Sequence, residues 1–272
     1  MLIDVNAYLG HFAFRQLRFH TGPTLLALMD GAGIDQAVVS SASAITYRNV
    51  QAGNEEVAAE VRGHRDRFIS FAVINPCYAG WRDDLTRCHE ELGMTGLRLY
   101  PNWHAYHLAD PSCLELVQEA GERQMTVSIA VRAEDPRQRH WLVDVPDVAL
   151  EEIAALVQHF PQTQFLVVNG INFVRSSLGR KDNGLPPNYH IELSRLSALL
   201  QNEIGTLLDH LGPERIVFGT GMPFAYPGPA LLKLEVLAAS EAVKEQIAWK
   251  NAARLLARVA ADDSVLSSTT SG

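Results

Sequence analysis

The chain has little cysteine, no concentrated positive charge and no long apolar run. Its three cysteines, Cys77, Cys88 and Cys113, are an odd number without CxxC spacing. That spacing argues against a disulfide framework and a thiolate zinc site and predicts buried or idle thiols. Lysine and arginine number 23 against 31 aspartates and glutamates, a formal net charge of −8, and form no cluster. Attraction to a phosphate backbone needs such a cluster, so nucleic acid is not an expected partner. No apolar run reaches the ~18 residues that a membrane span requires. Met1-Leu2-Ile3-Asp4 enters a strand-like run with no basic-then-apolar leader before it. Together these absences predict a cytoplasmic protein with no membrane partner. The chain also lacks a Gly-x-Ser-x-Gly elbow, so a hydrolase serine of that kind is not expected.

What is present is an ordinary globular composition, 47% hydrophobic and 20% charged over 272 residues. This suits one α/β domain, since α/β barrels use ~250 residues around a single core. Short β-branched runs alternate with longer amphipathic ones. The strand candidates are 2–6, 36–40, 68–74, 95–100, 126–131, 164–168, 189–194 and 215–219, the seventh being the weakest. Most are near-continuously apolar, as parallel strands covered on both faces should be. Helical patterns are read at 54–62, 81–92, 111–123, 149–159, 204–211, 230–239 and 242–258. The alternation implies repeated βαβ units. A doubly wound open sheet also fits it, but that fold usually has a glycine-rich phosphate loop after its first strand. Asn6-Ala7-Tyr8-Leu9-Gly10 is not one. The expected architecture is a single (β/α)₈ TIM barrel over residues 1–260, followed by a Ser/Thr/Asp-rich disordered tail at 261–272.

Several stretches carry a resemblance in order and spacing. They are Met1-Leu2-Ile3-Asp4, then Asn54-Glu55-Glu56-Val57-Ala58 leading to Arg67-Phe68-Ile69 and Asn75-Pro76, then Gly96-Leu97-Arg98-Leu99-Tyr100-Pro101. Gly212-Pro213-Glu214-Arg215-Ile216-Val217-Phe218-Gly219 and Asn251-Ala252-Ala253-Arg254-Leu255-Leu256 follow. In this the chain resembles the amidohydrolase-related family of metal-dependent barrels. Members typically open with Asp-x-His-x-His, and here those histidine positions are Asn6 and Tyr8. The family histidines closing strands five and six correspond to Ala130 and Asn169, and its strand-eight aspartate, which touches the metal and acts as base, corresponds to Gly221. An amide oxygen and a neutral phenol are poor substitutes for imidazole, and alanine and glycine have no donor. The resemblance therefore implies a fold and a pocket location, with no metal and no other cofactor expected.

In such barrels the strand ends and βα loops of the C-terminal face form the site. The candidate ligand-binding residues there are Asn6, Tyr8, Arg98, Tyr100, Arg132 and Asn169, with Ser194 and Met222 on the same face. Arg98 and Tyr100 share one side of their strand, and an arginine suits bidentate binding of a carboxylate. A structural ion pair is the equal alternative for Arg98. Asn6, Tyr8 and Asn169 make either a hydrogen-bonding floor for a ligand or a polar plug that satisfies itself. His104, His107 and His140, with Glu134 and Asp135, lie in loops of this face and are the residues a relocated site would use. Residues 172–187, with Arg175, Arg180 and Lys181, form a lid or a plain connection.

Two functions follow as expectations. One is a metal-independent hydrolase or lactonase acting on a small anionic carbonyl compound. Metal-independent lactonases of related fold generally keep the strand-eight aspartate that Gly221 removes. The other is a noncatalytic barrel serving as a ligand-binding or partner subunit. Under both, the partner is a small molecule, a carboxylate among the candidates, and a homo-oligomer is compatible with either.

Overall fold

Eight strands follow one another in chain order around one sheet, each parallel to the next. They are β1 (Ile3–Leu9), β2 (Gln36–Ser41), β3 (Phe68–Val73), β4 (Gly96–Leu99), β5 (Thr126–Ala130), β6 (Phe165–Val168), β7 (Tyr189–Glu192) and β8 (Ile216–Val217). The structure is a computed structural model that describes residues 1–257; the tail expected at 261–272 lies outside the described residues. The last strand returns to the first through backbone hydrogen bonds. Val5 N donates to Phe218 O (3.0 Å), Gly221 N to Asn6 O (2.8 Å) and Tyr8 N to Met222 O (2.9 Å). The fold is a (β/α)₈ TIM barrel.

The helices are α1 (Gly22–Ala32), α2 (Val50–Val61), α3 (Trp81–Thr86), α4 (Pro111–Glu122), α5 (Leu150–His159), α6 (Glu203–Leu211), α7 (Gly228–Val236) and α8 (Glu241–Glu245). Several differ from the sequence reading for local reasons. The first was not singled out; it starts beside Thr21, whose N–H donates to the Thr24 hydroxyl (3.2 Å), and stops at Gly33 with a φ of 66°. The helix expected from Asn54 begins four residues earlier, because the Asn49 side chain caps it by accepting from Gln51 N (3.2 Å). The run expected as one helix at 81–92 is α3 followed by a π-turn at Arg87–Glu91, and the run at 242–258 is α8, a π-turn at Gln246–Lys250 and a helical stretch to residue 257.

Side chains from alternate strand positions separate into two apolar layers. Val38, Phe71, Val73, Leu166, Val168 and Val217 fill the barrel interior. Val39, Leu97, Leu99, Val127, Ile129 and Val167 face outward against buried residues of the helices, such as Leu25 of α1, Val117 of α4 and Val157 of α5. Burial pushes the thiols of Cys88 and Cys113 up to about 12, while Cys77 is exposed. The interior apolar layers end toward the C-terminal face, where polar side chains replace them.

Candidate functional site

β1 delivers Asn6 and Tyr8 to that face, β4 delivers Arg98 and, just past its end, Tyr100, and β6 leads directly into Asn169. All five are at most 1% exposed. Asn6 Nδ2 donates to Asn169 Oδ1 (2.9 Å) and to Glu192 Oε2 (3.2 Å). Asn169 Nδ2 in turn donates to Tyr8 Oη (2.9 Å) and to the Arg132 carbonyl (3.1 Å), and its backbone N–H donates to Glu192 Oε2 (3.1 Å). Arg98 reaches across the barrel to the Val5 carbonyl (3.0 Å), Ser40 Oγ (3.1 Å) and, at longer range, the Ala7 carbonyl (3.4 Å) and Asn6 Oδ1 (3.5 Å). Its guanidinium lies 5.1 Å from the Tyr8 ring centroid, a cation–π distance. Among the described residues Arg98 has no carboxylate partner. The Tyr100 hydroxyl lies near Ser40 and Arg98 without a hydrogen bond of good geometry, and burial holds its pKa well above the usual phenol range.

Two carboxylates that the sequence reading did not single out organise this layer. Glu192, at the end of β7, accepts from Asn6, from Asn169 and from both the hydroxyl (3.0 Å) and backbone N–H of Ser194. Gly219 makes room for it, since a Cβ there would lie 2.5 Å from Glu192 Cγ and 3.0 Å from Asn6 Cβ. Asp4 ties β1 to the strand-eight end, accepting from Asn6 N (2.8 Å), Thr220 N (3.1 Å) and Thr220 Oγ1 (2.5 Å). Burial outweighs those hydrogen bonds and pushes its pKa up to about 7.

A divalent metal at the family's position can be tested against these contacts. Asn169 Oδ1 is engaged by the Asn6 amide and Tyr8 Oη by the Asn169 amide, while Asn6 Oδ1 faces the Arg98 guanidinium. An incoming cation would meet amide N–H groups and a fixed positive charge. Ala130 and Gly221 offer no donor. The residues present do not fit a divalent metal at this place. Nor do His104, His107 and His140 converge. His104 is buried with Nε2 on the Ala44 carbonyl (3.0 Å), and burial lowers its pKa. His107 is exposed, 3.9 Å from Glu152, and His140 stacks on Trp141 at 5.8 Å. Among the described residues no group of three or more His, Cys, Asp or Glu side chains is placed to hold an ion.

Aromatic rings from the loops cover the polar layer. Phe224 packs edge-on against both Tyr8 and Phe12, with centroids 5.0 Å apart in each pair, and Phe12 continues to Trp103 at 5.9 Å. The open space is displaced toward the loops after β5, β7 and β8. There a cavity of about 540 Å³ is lined by Arg132, Asp135, Arg137, Ser194, Arg195, Thr220 and Lys233, among others. Of the six residues singled out in sequence, Arg132 alone lines it. Two carboxylates serve four guanidiniums around it: Asp135 pairs with Arg137 (2.8 Å) and Arg195 (2.9 Å), and Asp147 with Arg132 and Arg139. Lys233, from α7, donates to the Ser194 carbonyl and forms no ion pair among the described residues. Burial lowers its pKa, and the Glu192 charge beneath works in the opposite direction.

The acids of the loop after β5 differ from each other. Hydrogen bonding from Arg137 holds Asp135 well below the usual carboxylate range, so it stands as a fixed anion. Glu134 is 1% exposed, neither oxygen has a hydrogen bond among the described residues, and Arg15 Nε is 3.9 Å away. Burial pushes its pKa up. Residues 172–187 pack along the barrel rather than over the cavity. Phe173 and Leu178 are buried, Phe173 N donates to Glu203 (2.9 Å) and Ser177 N to Glu151 (2.9 Å).

A curated relative, 2-amino-3-carboxymuconate-6-semialdehyde decarboxylase of Dictyostelium discoideum, is 23% identical over 234 residues, which is 75% of this chain and 65% of the relative. The chain thus spans under two thirds of that protein's length. Among solved structures, 2,6-dihydroxybenzoate decarboxylase from Rhizobium superposes with a TM-score of 0.69 at 18% identity, over 93% of this chain and 99% of that one. A dihydroxybenzoic acid decarboxylase from Polaromonas sp. JS666, solved with manganese and the inhibitor 2-nitroresorcinol, gives 0.70 at 18% identity, over 94% and 96%. At such identities the structural likeness establishes the barrel and nothing finer. The family model described as amidohydrolase matches residues 11–258, and on that match the chain belongs to the amidohydrolase family.

Proposed function

We propose that this barrel binds a small carboxylate compound, with the anionic group seated beside Lys233, Arg132 and Arg195 in the cavity at the β5–β8 side of the mouth. The observation that carries the reading is the excess of cations there. Four guanidiniums share Asp135 and Asp147, and among the described residues the half-buried Lys233 has no carboxylate partner. A partly desolvated ammonium beside a guanidinium fork recognises a carboxylate by charge-assisted hydrogen bonds. The names of similar proteins, decarboxylases of dihydroxybenzoate and of a carboxymuconate, are consistent with this class of ligand.

We further propose that binding proceeds without the family's metal, in a cytoplasmic protein. Among the described residues no helix is long and apolar enough to cross a membrane. The Phe224 ring packed on Tyr8 and backed by Phe12 supports the ligand-binding reading over a water-activating one, because it lays apolar surface against a position where the family has a metal-binding histidine. On this reading Asn6, Tyr8 and Asn169, with Arg98 and Tyr100, form a self-bonded layer that supports the barrel mouth without touching the ligand, and Arg132 touches it. One observation supports hydrolysis of an ester or lactone instead. Glu134 is a buried carboxyl with two unbonded oxygens, and its raised pKa suits a proton donor.

Titration calorimetry with benzoate, 2,6-dihydroxybenzoate and their methyl esters tests the proposal. The acids should bind and the neutral esters should not. Lys233→Met should weaken the acids by about tenfold, the loss of one partly buried charge contact. Equal affinity for acids and esters, or no effect of Lys233→Met, would overturn it. Turnover of esters, lactones or the acids themselves in the same samples, abolished by Glu134→Gln, would favour the catalytic reading.

A further inference from the structure

A second cavity of about 380 Å³ adjoins the first on the side of the loop after β1. The two share Gln138, Ala225, Tyr226 and Pro229 as a common wall, so they are compartments of one cleft. The second has its own cations, Arg15 and Arg18. Arg15 is committed to the protein: Nη1 donates to Gln138 Oε1 (2.9 Å), Nη2 to the Phe224 carbonyl (3.0 Å), and Glu134 lies 3.9 Å away. Arg18 is exposed and, among the described residues, makes no hydrogen bond or ion pair. Each compartment therefore holds one cation without a carboxylate, Lys233 in the first and Arg18 in the second.

What separates the compartments is slight. The Arg15–Gln138 hydrogen bond is solvent-exposed, and Tyr226 stands 65% exposed at the shared wall. Exposed hydrogen bonds of this kind exchange with water at little net cost. The wall is also mixed in character, with Ala225, Pro229 and the Tyr226 ring offering apolar surface between two cationic poles. A chain of methylene or aromatic carbons suits that middle, and a negative group suits each end.

We propose that the cleft takes an elongated ligand with two anionic ends, one at Lys233 and the other at Arg18. This rests on the carboxylate reading of the first cavity and narrows it from carboxylates in general to dicarboxylates that span both compartments. Arg18 is then a specificity-determining residue, selecting for the second charge without touching the first.

The test is calorimetry on the whole chain with succinate, adipate, suberate and sebacate, each against the monocarboxylate of equal carbon number. One dicarboxylate length should bind more tightly than its monocarboxylate partner. Arg18→Gln, a substitution at an exposed position, should weaken that dicarboxylate by about fivefold and leave the monocarboxylate unchanged, while Lys233→Met weakens both. Equal binding of mono- and dicarboxylates at every length, with Arg18→Gln silent, would overturn the two-ended ligand and leave the carboxylate site standing. Absence of binding by any member of either series would overturn both readings together.

Discussion

Replacing Arg98 with methionine removes a fully buried guanidinium from the centre of the polar layer. The structure allows the cost to be worked out. Two of its hydrogen bonds are well formed, to the Val5 carbonyl at 3.0 Å and to Ser40 Oγ at 3.1 Å. Hydrogen bonds to a charged partner are worth ~1.5–3 kcal/mol each, and the contacts to Ala7 O and Asn6 Oδ1, at 3.4 and 3.5 Å, add little to them. The Tyr8 contact contributes ~0.5–2 kcal/mol more. Against this, methionine fills much of the volume and relieves a buried charge whose Nε has no partner. A net loss of about 3 kcal/mol is expected, lowering the thermal midpoint by ~6–12 °C for a chain of this size. Circular dichroism melts and urea titrations would measure it. Calorimetry on the folded variant should show benzoate affinity unchanged, since Arg98 lines neither compartment. Arg98→Lys keeps the charge and loses the fork, and should fall between the two in stability. A methionine variant as stable as wild type that no longer binds carboxylate would refute the reasoning and make Arg98 a ligand contact.

Asp4 should give stability a distinctive pH dependence. Its folded pKa of about 7 lies above the ordinary ~4 of the unfolded chain, so the folded state holds the extra proton between those values. The stabilisation is complete below about pH 4 and is lost as pH rises through about 7, and Asp4→Asn should flatten that slope in urea titrations across the window. A wild-type slope unchanged by the substitution would show that Asp4 is ionised throughout. Gly221→Asp should not create a metal site. A side chain fits, with Asn169 Oδ1 3.5 Å and Asn6 Nδ2 3.7 Å from the new Cβ, but the φ of 75° is strained for it and its carboxylate would face an amide donor. Zinc or manganese bound stoichiometrically after dialysis would contradict this, as would metal-dependent hydrolysis by either protein.

The eight strands were legible because each is a short apolar run whose length and flanks arbitrate against helix. Even the seventh, Tyr189–Glu192, was recoverable despite the polar His190 and Glu192 within it. β8 is shorter than its apolar pattern, since residues 218–222 turn their hydrogen bonds toward β1 and α8's following turn. The helix starts were less legible, because a cap such as Asn49 acts through one side-chain bond outside the periodic pattern. In the site, strand parity puts Asn6 and Tyr8 on one side of β1 and Arg98 and Tyr100 on one side of β4, while Asn169 follows only from the family resemblance. Their mutual bonding was one of two open alternatives, and parity could not choose between them. Glu192 had a signal, an acid at the C-terminal end of a buried strand. Lys233 and Arg18 had none, because the direction in which a loop or a following helix leans over a barrel mouth is fixed by packing and not by local sequence.

The barrel seam has a consequence for how the molecule comes together. Asp4 and Thr220 are 216 residues apart in sequence, and the amide of Asn6 bonds Glu192 across 186. The Asp4–Thr220 bonds cannot form in a chain whose last strand has not yet been made, nor in a sheet still open between β8 and β1. The polar layer is thus assembled by ring closure itself, the step with the largest loop entropy. Amide hydrogen exchange should therefore find the Gly219–Met222 segment protected only in the fully closed molecule, together with β1. A ligand reaching from Lys233 of α7, which follows β8, to Arg18 in the loop after β1 would bridge that seam and slow reopening, so binding cleft and folding clasp are one piece of architecture.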